Sequence, residues 1–430
     1  GSNNPEDFHP AVFHMLDVGN VARELLVEGA SPRWRQTLAS AFNCEVSILS
    51  DWLPYFVALH DIGKVSSAFQ ALNKQQLTRL KQEGFELEAT DIPHSHISQI
   101  YMEDTLTKIF AADPVKTQIF SEALGGHHGR FAHPDYDIKS GRRKLTREPE
   151  QWKSLRQIAD SILKDEFLRL DLNSLPAPIN ISTAIMAFAG FTILCDWLGS
   201  DERHFKISPN TDLSLYLEQS RQSAAQATFD SGMKAIMLSK AGIKTETLFA
   251  DLIPLRALQL AIDDIPDELL RFPSLTIIEA PTGEGKTEAA LSLAHRIAQL
   301  NGTEEMYYAL PSMATSNQMF GRLQTHLEKR LGLKADMKLV HGQAHLIEEN
   351  SQTETPIGPI EPLVNGETKT ESNAKETISW FNSKKRALLA PFGVGTVDQA
   401  ELATLNVKHA ALRMMGLVGK VVIVDEVHAY

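Results

Sequence analysis

Apolar residues recur at spacings of three and four through the first half of the chain, from about residue 8 to residue 231. One such series is formed by Val12, Leu16, Val21 and Leu25. This spacing is the period of a helix with one buried face, and the same half of the chain shows no convincing alternation of the kind that marks a strand. The pattern therefore predicts an all-α first domain.

The pattern changes after about Lys240, where short apolar runs are separated by helical segments. Four runs have the length and composition of buried strands, at residues 275–278, 307–310, 338–340 and 421–424. Such runs, alternating with helices, are typical of a parallel sheet covered on both faces, the architecture of many nucleotide-binding domains. The second domain is therefore predicted to be α/β.

These patterns predict three segments: an all-α domain at 1–238, a connector at 239–273 that packs on the second domain, and the α/β domain at 274–430. Residues 348–376 are rich in Thr, Glu, Pro and Asn and poor in large apolar side chains, which predicts a disordered surface loop. The predicted fold class is multidomain, an all-α domain followed by a P-loop α/β domain with a parallel sheet.

Composition narrows the environment and the partners. A net charge of −12 excludes a protein that coats nucleic acid over its whole surface, but it is compatible with a local basic groove. The two cysteines, Cys44 and Cys195, are too few and too far apart for a disulfide framework, which indicates a reducing cytoplasm. The longest apolar run, at 181–194, is short for a membrane span and is interrupted by Ser182 and Thr183. We therefore expect a buried helix and no membrane partner.

His60 and Asp61 are adjacent and offer an imidazole and a carboxylate, a combination that divalent metals favour. A single such pair is more often an ordinary helix feature, so the interpretation requires partners. Asp196 ends the most hydrophobic helix of the domain, where an unpaired carboxylate would be costly to bury, although capping or pairing with an arginine would also explain it. The other candidate ligands in this domain are His14, His94, His96, His127 and His128.

Residues 280–287 follow a predicted strand and precede a predicted helix, the context of a phosphate-binding P-loop. In that context Gly283 and Gly285 let backbone N–H groups cradle phosphates, Lys286 reaches the β and γ phosphates, and Thr287 binds Mg. The pattern predicts an ATP and Mg site.

The predicted strand at 421–424 leads into Asp425 and Glu426, which would bind the Mg ion and polarise the attacking water. Gln259 either reads the adenine or is an ordinary surface glutamine. The segment after His128 contains five basic residues and no acid between Lys139 and Arg147, which fits either a clamp on DNA phosphates or a solvated loop. These residues are Lys139, Arg142, Arg143, Lys144 and Arg147.

Together these motifs resemble the HD superfamily of metal-dependent phosphohydrolases and, more closely, the CRISPR-associated helicase-nuclease family of type I systems. The resemblance covers essentially the whole chain, which stops just after the second ATPase motif. As in superfamily 2 helicases, Ala280 replaces the first glycine of the P-loop. The segments that carry the resemblance are 60–64 with Phe69-Gln70, 126–129, 196–200, 310–317 and 395–400.

The resemblance implies two metal ions, one held by His14, His60, Asp61 and Asp196 and the other by His94, His127 and His128, with Asp61 bridging them. Ser98 follows His94 by four residues, as in the family, so His94 is preferred to His96. His14 is preferred to His9 because it lies within an amphipathic helix. Imidazole ligands favour Mn, Fe, Co, Ni or Zn over Mg, and two such ions would activate water and stabilise the leaving oxygen. Lys64 either contacts phosphate or is a solvated lysine.

The resemblance further implies a nuclease that cuts single-stranded DNA, with Thr315 and Thr396 in motifs that hold the strand. It implies recruitment to a CRISPR RNA-guided surveillance complex and translocation from 3′ to 5′. Because a superfamily 2 motor needs a second RecA-like domain, we expect this chain to bind ATP weakly and neither to hydrolyse it efficiently nor to translocate. The alternatives are a nucleotide phosphohydrolase with a regulatory ATPase and a non-catalytic adaptor with a structural metal.

Overall fold

The computed structural model describes residues 8–27, 32–88, 90–111, 113–175, 177–208, 212–231, 244–303, 305–330, 337–340, 386–405 and 407–429. The chain folds into two compact units. The helical unit comprises Gly1–Ala30, Trp34–Lys234 and Leu405–Met415, and the α/β unit comprises Ser31–Arg33, Ala235–Thr404 and Gly416–Tyr430.

The described residues of the helical unit contain helices and no strand, as the spacing of apolar residues predicts. The α-helices are α1 (Ala11–Leu26), α2 (Pro32–Ala41), α3 (Leu53–Ala58), α4 (Ser67–Gln70), α5 (Lys74–Gln82), α6 (His94–Ile109), α7 (Pro114–Gly125), α8 (Lys139–Leu145), α9 (Glu150–Phe167), α10 (Ile181–Gly199) and α11 (Leu213–Asp230). Short 3₁₀ or π segments are Val46–Asp51, Leu59–Lys64, Pro134–Ile138 and Leu172–Ser174.

Helix α10 forms the centre of the helical core and packs against α1 and α7. Its length and apolar composition would suit a membrane span, but 72% of that stretch is buried inside the protein. The prediction of a buried helix is therefore confirmed. A core helix of this kind fixes the direction of its last turn, which carries Asp196.

Helix α1 is held by a buried carboxylate. Asp17 is fully buried and accepts hydrogen bonds from Tyr216 Oη at 2.7 Å and Ser220 Oγ at 2.6 Å, both on α11. His9 Nε2 lies 3.0 Å from the same side chain. These contacts offset the cost of burying the charge, and they fix the helix that carries His14.

A buried ion pair supports the segment that follows Lys64. Arg156 donates to Glu148 Oε1 at 3.0 Å and to the carbonyl oxygen of Val65 at 2.9 Å, and Glu148 accepts from the backbone N–H of Ser67 at 3.2 Å. Side-chain exposure is 7% for Arg156 and 4% for Glu148.

We expect Arg156→Leu to destabilise the helical unit by about 3–5 kcal/mol, because Glu148 would remain buried without its partner. Urea unfolding followed by tryptophan fluorescence measures the change. Lys153→Ala is the control, because its pair with Glu150 lies at the surface and surface pairs contribute little. Equal stability of the two variants would contradict the role assigned to Arg156.

The α/β unit is built around a four-stranded parallel sheet in the order β2-β3-β1-β4. Its strands are β1 (Met306–Leu310), β2 (Met337–Val340), β3 (Phe392–Thr396) and β4 (Val421–Val424). Its α-helices are α12 (Thr245–Leu248), α13 (Ala257–Ala261), α14 (Lys286–Leu300), α15 (Met313–Thr325), α16 (Arg386–Leu389) and α17 (Val397–Glu401), and α18 (Ala410–Leu417) begins within the segment assigned to the helical unit. Short 3₁₀ or π segments are Ala250–Leu252, Ile262–Asp264, Asp267–Leu270, His326–Arg330 and Val427–Ala429.

The predicted fold class is confirmed, since a helical unit is joined to an α/β unit with a parallel sheet. The predicted connector packs on the α/β core through Phe249, Ile262 and Leu270. The predicted loop at 348–376 lies outside the described residues. Leu405–Met415 packs within the helical unit, although the sequence pattern assigns it to the continuous segment 274–430.

The prediction of a strand at 275–278 is wrong. This stretch forms no regular element and pairs with no strand, and the side chains of Leu275 and Ile277 are 90% and 83% exposed. Within the described residues β4 pairs with β1 alone, so its outer edge is open. An apolar run has strand composition whether or not a neighbour is available to pair with it. The pattern also missed β3, in which two glycines dilute the apolar signal.

Two buried histidines face each other on the helical layer of the α/β unit. His295 Nε2 and His326 Nε2 are 2.9 Å apart, and the ring of Phe249 stacks on His326. Burial lowers the pKa of His295 to about 4. In the neutral pair one Nε2–H donates to the other Nε2, and burial makes a charged His295 costly at this position.

We therefore expect the α/β unit to lose on the order of 3 kcal/mol as pH falls from 6.5 to 4, because the unfolded chain binds a proton in this range and the folded unit does not. Hydrogen exchange of the β1 amides reports this change. His295→Gln keeps a hydrogen-bonding group but cannot titrate, so its stability should fall less over the same range. An identical pH dependence in both proteins would contradict the prediction.

Candidate metal centre and nucleotide site

Five separate elements bring the candidate ligands together in the helical unit. The 3₁₀ segment Leu59–Lys64 carries His60 and Asp61. The other ligands lie in α1, at the start of α6, in the turn after α7 and near the end of α10, and they are His14, His94, His127, His128 and Asp196. The chain separations are large, so only the packed fold creates the site.

Gly63 allows the 3₁₀ segment to approach α6. A Cβ atom at this position would lie 2.0 Å from the carbonyl oxygen of His94. The backbone N–H of Gly63 donates to Ser98 Oγ at 3.0 Å. Gly63 and Ser98 are therefore required for a close contact that brings His94 towards Asp61.

The first group of candidate ligands surrounds Asp61 Oδ2. His14 Nε2 lies 3.2 Å from this oxygen and 3.2 Å from Asp196 Oδ1. His60 Nε2 lies 3.3 Å and 3.4 Å from the same two oxygens. Ligand atoms of these four residues lie within 4.8 Å of one another. Two imidazoles and two carboxylates thus converge on one point.

The second group lies on the other side of the same carboxylate. His94 Nε2 is 3.2 Å from Asp61 Oδ1, and His127 Nε2 is 3.5 Å from it. His128 Nε2 completes the group at 2.7 Å from His94 Nε2. Asp61 therefore presents one oxygen to each group, which is the geometry of a bridging carboxylate.

The ring orientations also fit metal ions. His60 Nδ1 lies 3.0 Å from the carbonyl oxygen of Val57, and His127 Nδ1 lies 2.5 Å from that of Leu124. A carbonyl oxygen accepts a hydrogen bond, so each Nδ1 carries an N–H and each Nε2 faces the centre, where it can bind a metal ion once it has lost its proton.

Several atoms at the centre lack hydrogen-bond partners. Among the described residues this holds for His14 Nε2, His60 Nε2, His127 Nε2 and Asp61 Oδ1. The short N–O distances therefore do not have hydrogen-bond angles, because the atoms point to a shared position between them. Buried acceptors that face one another without a donor are expected where a cation binds. The residues fit two divalent ions.

Charge favours a cation at the first group. Burial acts to lower the pKa of His60, but the charge of Asp61 and the contacts with Asp61 and Asp196 outweigh it and raise the pKa to about 10. Burial acts to raise the pKa of Asp61, but Lys64 and His60 hold it well below its usual range. Burial also acts to raise the pKa of Asp196, but contacts with His14 and His60 hold it well below its usual range, so both carboxylates remain ionised and attract positive charge.

Charge has a different effect at the second group. Burial lowers the pKa of His94 to about 4, although the adjacent Asp61 acts to raise it. An unprotonated imidazole is the form that binds metal. His94 is therefore ready to act as a ligand at neutral pH.

The structure differs between the neighbouring histidines that the sequence offers as ligands. His94, and not His96, lies in the ligand group. His14 lies in the group, whereas His9 pairs with Asp17. Lys64 Nζ lies 2.5 Å from Asp61 Oδ2, so this lysine contacts the central carboxylate.

The basic segment is less free than its sequence indicates. Arg142 pairs with Glu103 at 2.6 Å and also with Asp104, and Lys144 Nζ donates to the carbonyl oxygen of Asp91 at 2.9 Å. Arg143 is exposed. The fold brings acids from α6 to Arg142 that a reading of the local sequence could not identify.

The P-loop has the local geometry that its glycines predict. Gly283 and Gly285 have φ values of 86° and 77°, in the left-handed region that glycine favours. Helix α14 begins at Lys286, whose Nζ donates to the carbonyl oxygen of Ala280 at 2.8 Å. Thr287 is the next residue of the same helix.

Gln259 is buried against the P-loop and is not a surface residue. Its exposure is 4%, and its Oε1 accepts from the backbone N–H of Arg256 at 2.9 Å. A Cβ atom on Gly285 would lie 2.2 Å from Gln259 Nε2. Gln259 therefore packs directly against the P-loop.

The acidic residues Asp425 and Glu426 directly follow the end of β4. Asp425 Oδ2 accepts from Tyr308 Oη at 2.7 Å, a contact that the sequence did not indicate. Glu426 has a left-handed φ of 54° and lies 3.2 Å from His428. Its backbone N–H donates to Asp425 Oδ1 at 2.9 Å.

The two threonines predicted to hold DNA differ in accessibility. Thr315 is exposed in the first turn of α15, where its N–H donates to Ser312 Oγ at 3.2 Å. Thr396 ends β3 and is 7% exposed, and its carbonyl oxygen accepts from Tyr307 Oη at 3.1 Å. Thr396 is therefore the less accessible of the two, and DNA contact by either threonine stays a prediction.

The fold and the site define a class of protein in which an HD-type helical unit is joined to a P-loop α/β unit. Residues 1–205 match the family model of the Cas3 HD domain. The chain is 33% identical to the CRISPR-associated endonuclease/helicase Cas3 of Thermus thermophilus, over 100% of this chain and 46% of that protein. Residues 1–205 are therefore similar to the Cas3 HD domain, and the chain as a whole is similar to slightly less than half of a Cas3 endonuclease/helicase.

Solved structures extend this similarity to both units. The T. fusca Cas3–ATP crystal structure matches with a TM-score of 0.79 and 29% identity, over 100% of this chain and 46% of that one. A chain in a pre-nicking CRISPR RNA-guided surveillance complex matches with a TM-score of 0.65 and 27% identity, over 98% of this chain and 42% of that one. The chain spans about half the length of the relatives that it matches.

Proposed function

We propose that the chain is a metal-dependent nuclease for single-stranded DNA, joined to the first half of an ATP-dependent motor that moves from 3′ to 5′. The observation that carries the proposal is the position of Asp61, with Oδ2 towards His14 and His60 and Oδ1 towards His94 and His127. Such a bridge is the arrangement that two adjacent ions require in phosphodiester hydrolysis.

His14, His60, Asp61 and Asp196 would hold one ion, and His94, His127 and His128 the other. When bound, the ions would polarise the phosphodiester and activate water near neutral pH. The ligand set favours Mn, Fe, Co or Ni over Mg. The carbonyl contacts of His60 and His127 keep each ring oriented. Lys64, which contacts Asp61, would turn to contact a phosphate oxygen of the DNA.

ATP and Mg would bind at the P-loop and at the residues beside it, and Glu426 would polarise the attacking water. The binding residues would be Gln259, Gly283, Gly285, Lys286, Thr287 and Asp425. Arg143 and Thr315 are the exposed candidates for DNA contact. We further propose recruitment by a CRISPR RNA-guided surveillance complex, because a similar chain occurs in such a complex. Two free cysteines support a reducing, cytoplasmic environment.

For the whole protein we propose a nuclease domain at 1–238, a connector at 239–273 and a first motor domain at 274–430. Leu405–Met415 is an exception, because it packs within the helical unit. The candidate ligands of the metal centre all come from residues 14–196.

The test is incubation of the chain with circular single-stranded DNA and Mn, with and without EDTA. We expect nicking that EDTA abolishes. Hydrolysis of free nucleotides without nicking would favour a nucleotide phosphohydrolase, and the absence of both activities would favour an adaptor with a structural metal. Either result would contradict the proposal.

A further inference from the structure

The segment Leu405–Met415, here called the strap, belongs to the helical unit although the residues on both sides of it belong to the α/β unit. In sequence it lies between α17, which follows β3, and β4, which leads to Asp425. A stretch bracketed by two elements of the nucleotide-binding sheet thus packs within the unit that contains the candidate metal centre.

The strap contacts the turn that carries His127 and His128. The backbone N–H of His409 donates to the carbonyl oxygen of Gly129 at 2.9 Å. Gly129 has a left-handed φ of 81°, and a Cβ atom there would lie 2.4 Å from His409 Nδ1. A side chain at position 129 would clash with His409, so only glycine allows the end of the turn to lie this close to the strap.

His409 is itself in an uncommon conformation, with a φ of 68°. Non-glycine residues in this region are held there by surrounding structure. The hydrogen bond to Gly129 is one such restraint, and the start of α18 at Ala410 is another.

A second contact joins the strap to α10. A Cβ atom on Gly190 would lie 2.4 Å from the carbonyl oxygen of Ala411 and 3.0 Å from the Cβ of Met415. Ala411 and Met415 are 3% and 1% exposed. Helix α10 also carries Asp196, nearer its end. The strap therefore contacts one element that carries a ligand of the first group and one that carries ligands of the second.

We propose that the strap is a positioning element of the metal centre, which sets the place of the His127–His128 turn relative to α10. This rests on the proposed function of the centre. Sites of this kind need their groups held within about 0.5 Å, and the second group reaches Asp61 through distances of 3.2 and 3.5 Å. The backbone continues from the strap into β4 and then to Asp425. The strap therefore links the candidate nucleotide site to the candidate metal centre through the backbone.

Two variants test the strap without changing a ligand. Gly190→Ala adds a methyl group against Ala411, and Met415→Ala removes a buried side chain from the strap. Gly321→Ala is the matched control, because Gly321 lies within α15 with no other group within 4 Å of an added Cβ. Equilibrium dialysis measures Mn affinity, and Mn(II) electron paramagnetic resonance reports coupling between two bound ions.

We expect Gly190→Ala and Met415→Ala, the two strap variants, to bind the weaker of the two Mn ions about 10- to 100-fold less tightly, as happens when a residue that positions a metal ligand is lost. The spin coupling between the two ions should also be lost. Cleavage of circular single-stranded DNA should recover as Mn is raised. Gly321→Ala should match the unchanged protein. Far-UV circular dichroism establishes that each variant is folded, and Met415→Ala decides the matter if Gly190→Ala does not fold.

Folded strap variants with unchanged Mn affinity and coupling would overturn the proposal, even if their melting temperatures fell, since a purely structural strap would affect stability alone. Failure of the unchanged protein to cleave DNA would contradict the proposed function instead. The Mn measurements would still decide the role of the strap in that case.

Discussion

Asp61→Asn should abolish metal-dependent cleavage of single-stranded DNA. The amide keeps the shape of the side chain but offers one oxygen, so it cannot face both ligand groups. We expect a loss larger than the 10- to 100-fold that follows removal of an outer partner of a metal ligand. The number of bound Mn ions should fall from two to at most one, measured by elemental analysis after dialysis.

Asp91→Asn is the matched control for this prediction. Asp91 is exposed and precedes α6, so the same substitution removes one negative charge from the same unit without touching the ligand groups. We expect cleavage and Mn content close to those of the unchanged protein. If Asp61→Asn retained both ions and cleaved DNA at the normal rate, Asp61 would not be the bridge.

The 430-residue chain should hydrolyse ATP very slowly, even with single-stranded DNA present. The stretch before the P-loop is unpaired, with Leu275 and Ile277 exposed, and the edge of β4 is open. In addition, we propose that the arginines that complete such a site come from a second motor domain, and a contribution of this kind is worth about 10³- to 10⁵-fold in kcat.

A protein extended to the full length of the relatives should therefore hydrolyse ATP about 10³-fold faster or more. Release of phosphate with and without DNA measures the rates. Lys286→Ala in the longer protein should remove the activity, because its Nζ lies at the P-loop. DNA-stimulated hydrolysis by the 430-residue chain that Lys286→Ala abolishes would contradict the prediction.

The sequence alone was sufficient to predict those parts of the structure that local chemistry determines. The glycines at 283 and 285 predict a phosphate-binding loop, and both have left-handed φ values that glycine favours. The apolar run at 181–194 predicts a buried helix, which is present. The resemblance indicated which histidines to choose, and the structure places His14 and His94 in the ligand groups. Neither spacing nor composition could have shown this, because the residues lie on five separate elements.

The sequence was insufficient where a distant partner determines structure. Residues 275–278 have the composition of a strand but no neighbour to pair with, and Arg142 meets acids that lie 38 and 39 residues away. The return of Leu405–Met415 to the helical unit had no signal beyond Gly129 and Gly190, whose roles emerge only when the opposing atoms are known. Tertiary packing, and not propensity, decides such features.

The most direct test of the two-ion centre is anomalous diffraction from crystals soaked in Mn. We predict two peaks about 3.5–4 Å apart, one beside Asp61 Oδ2 near His14, His60 and Asp196, the other beside Asp61 Oδ1 near the remaining histidines. A single peak, or two peaks that do not share Asp61, would contradict the account.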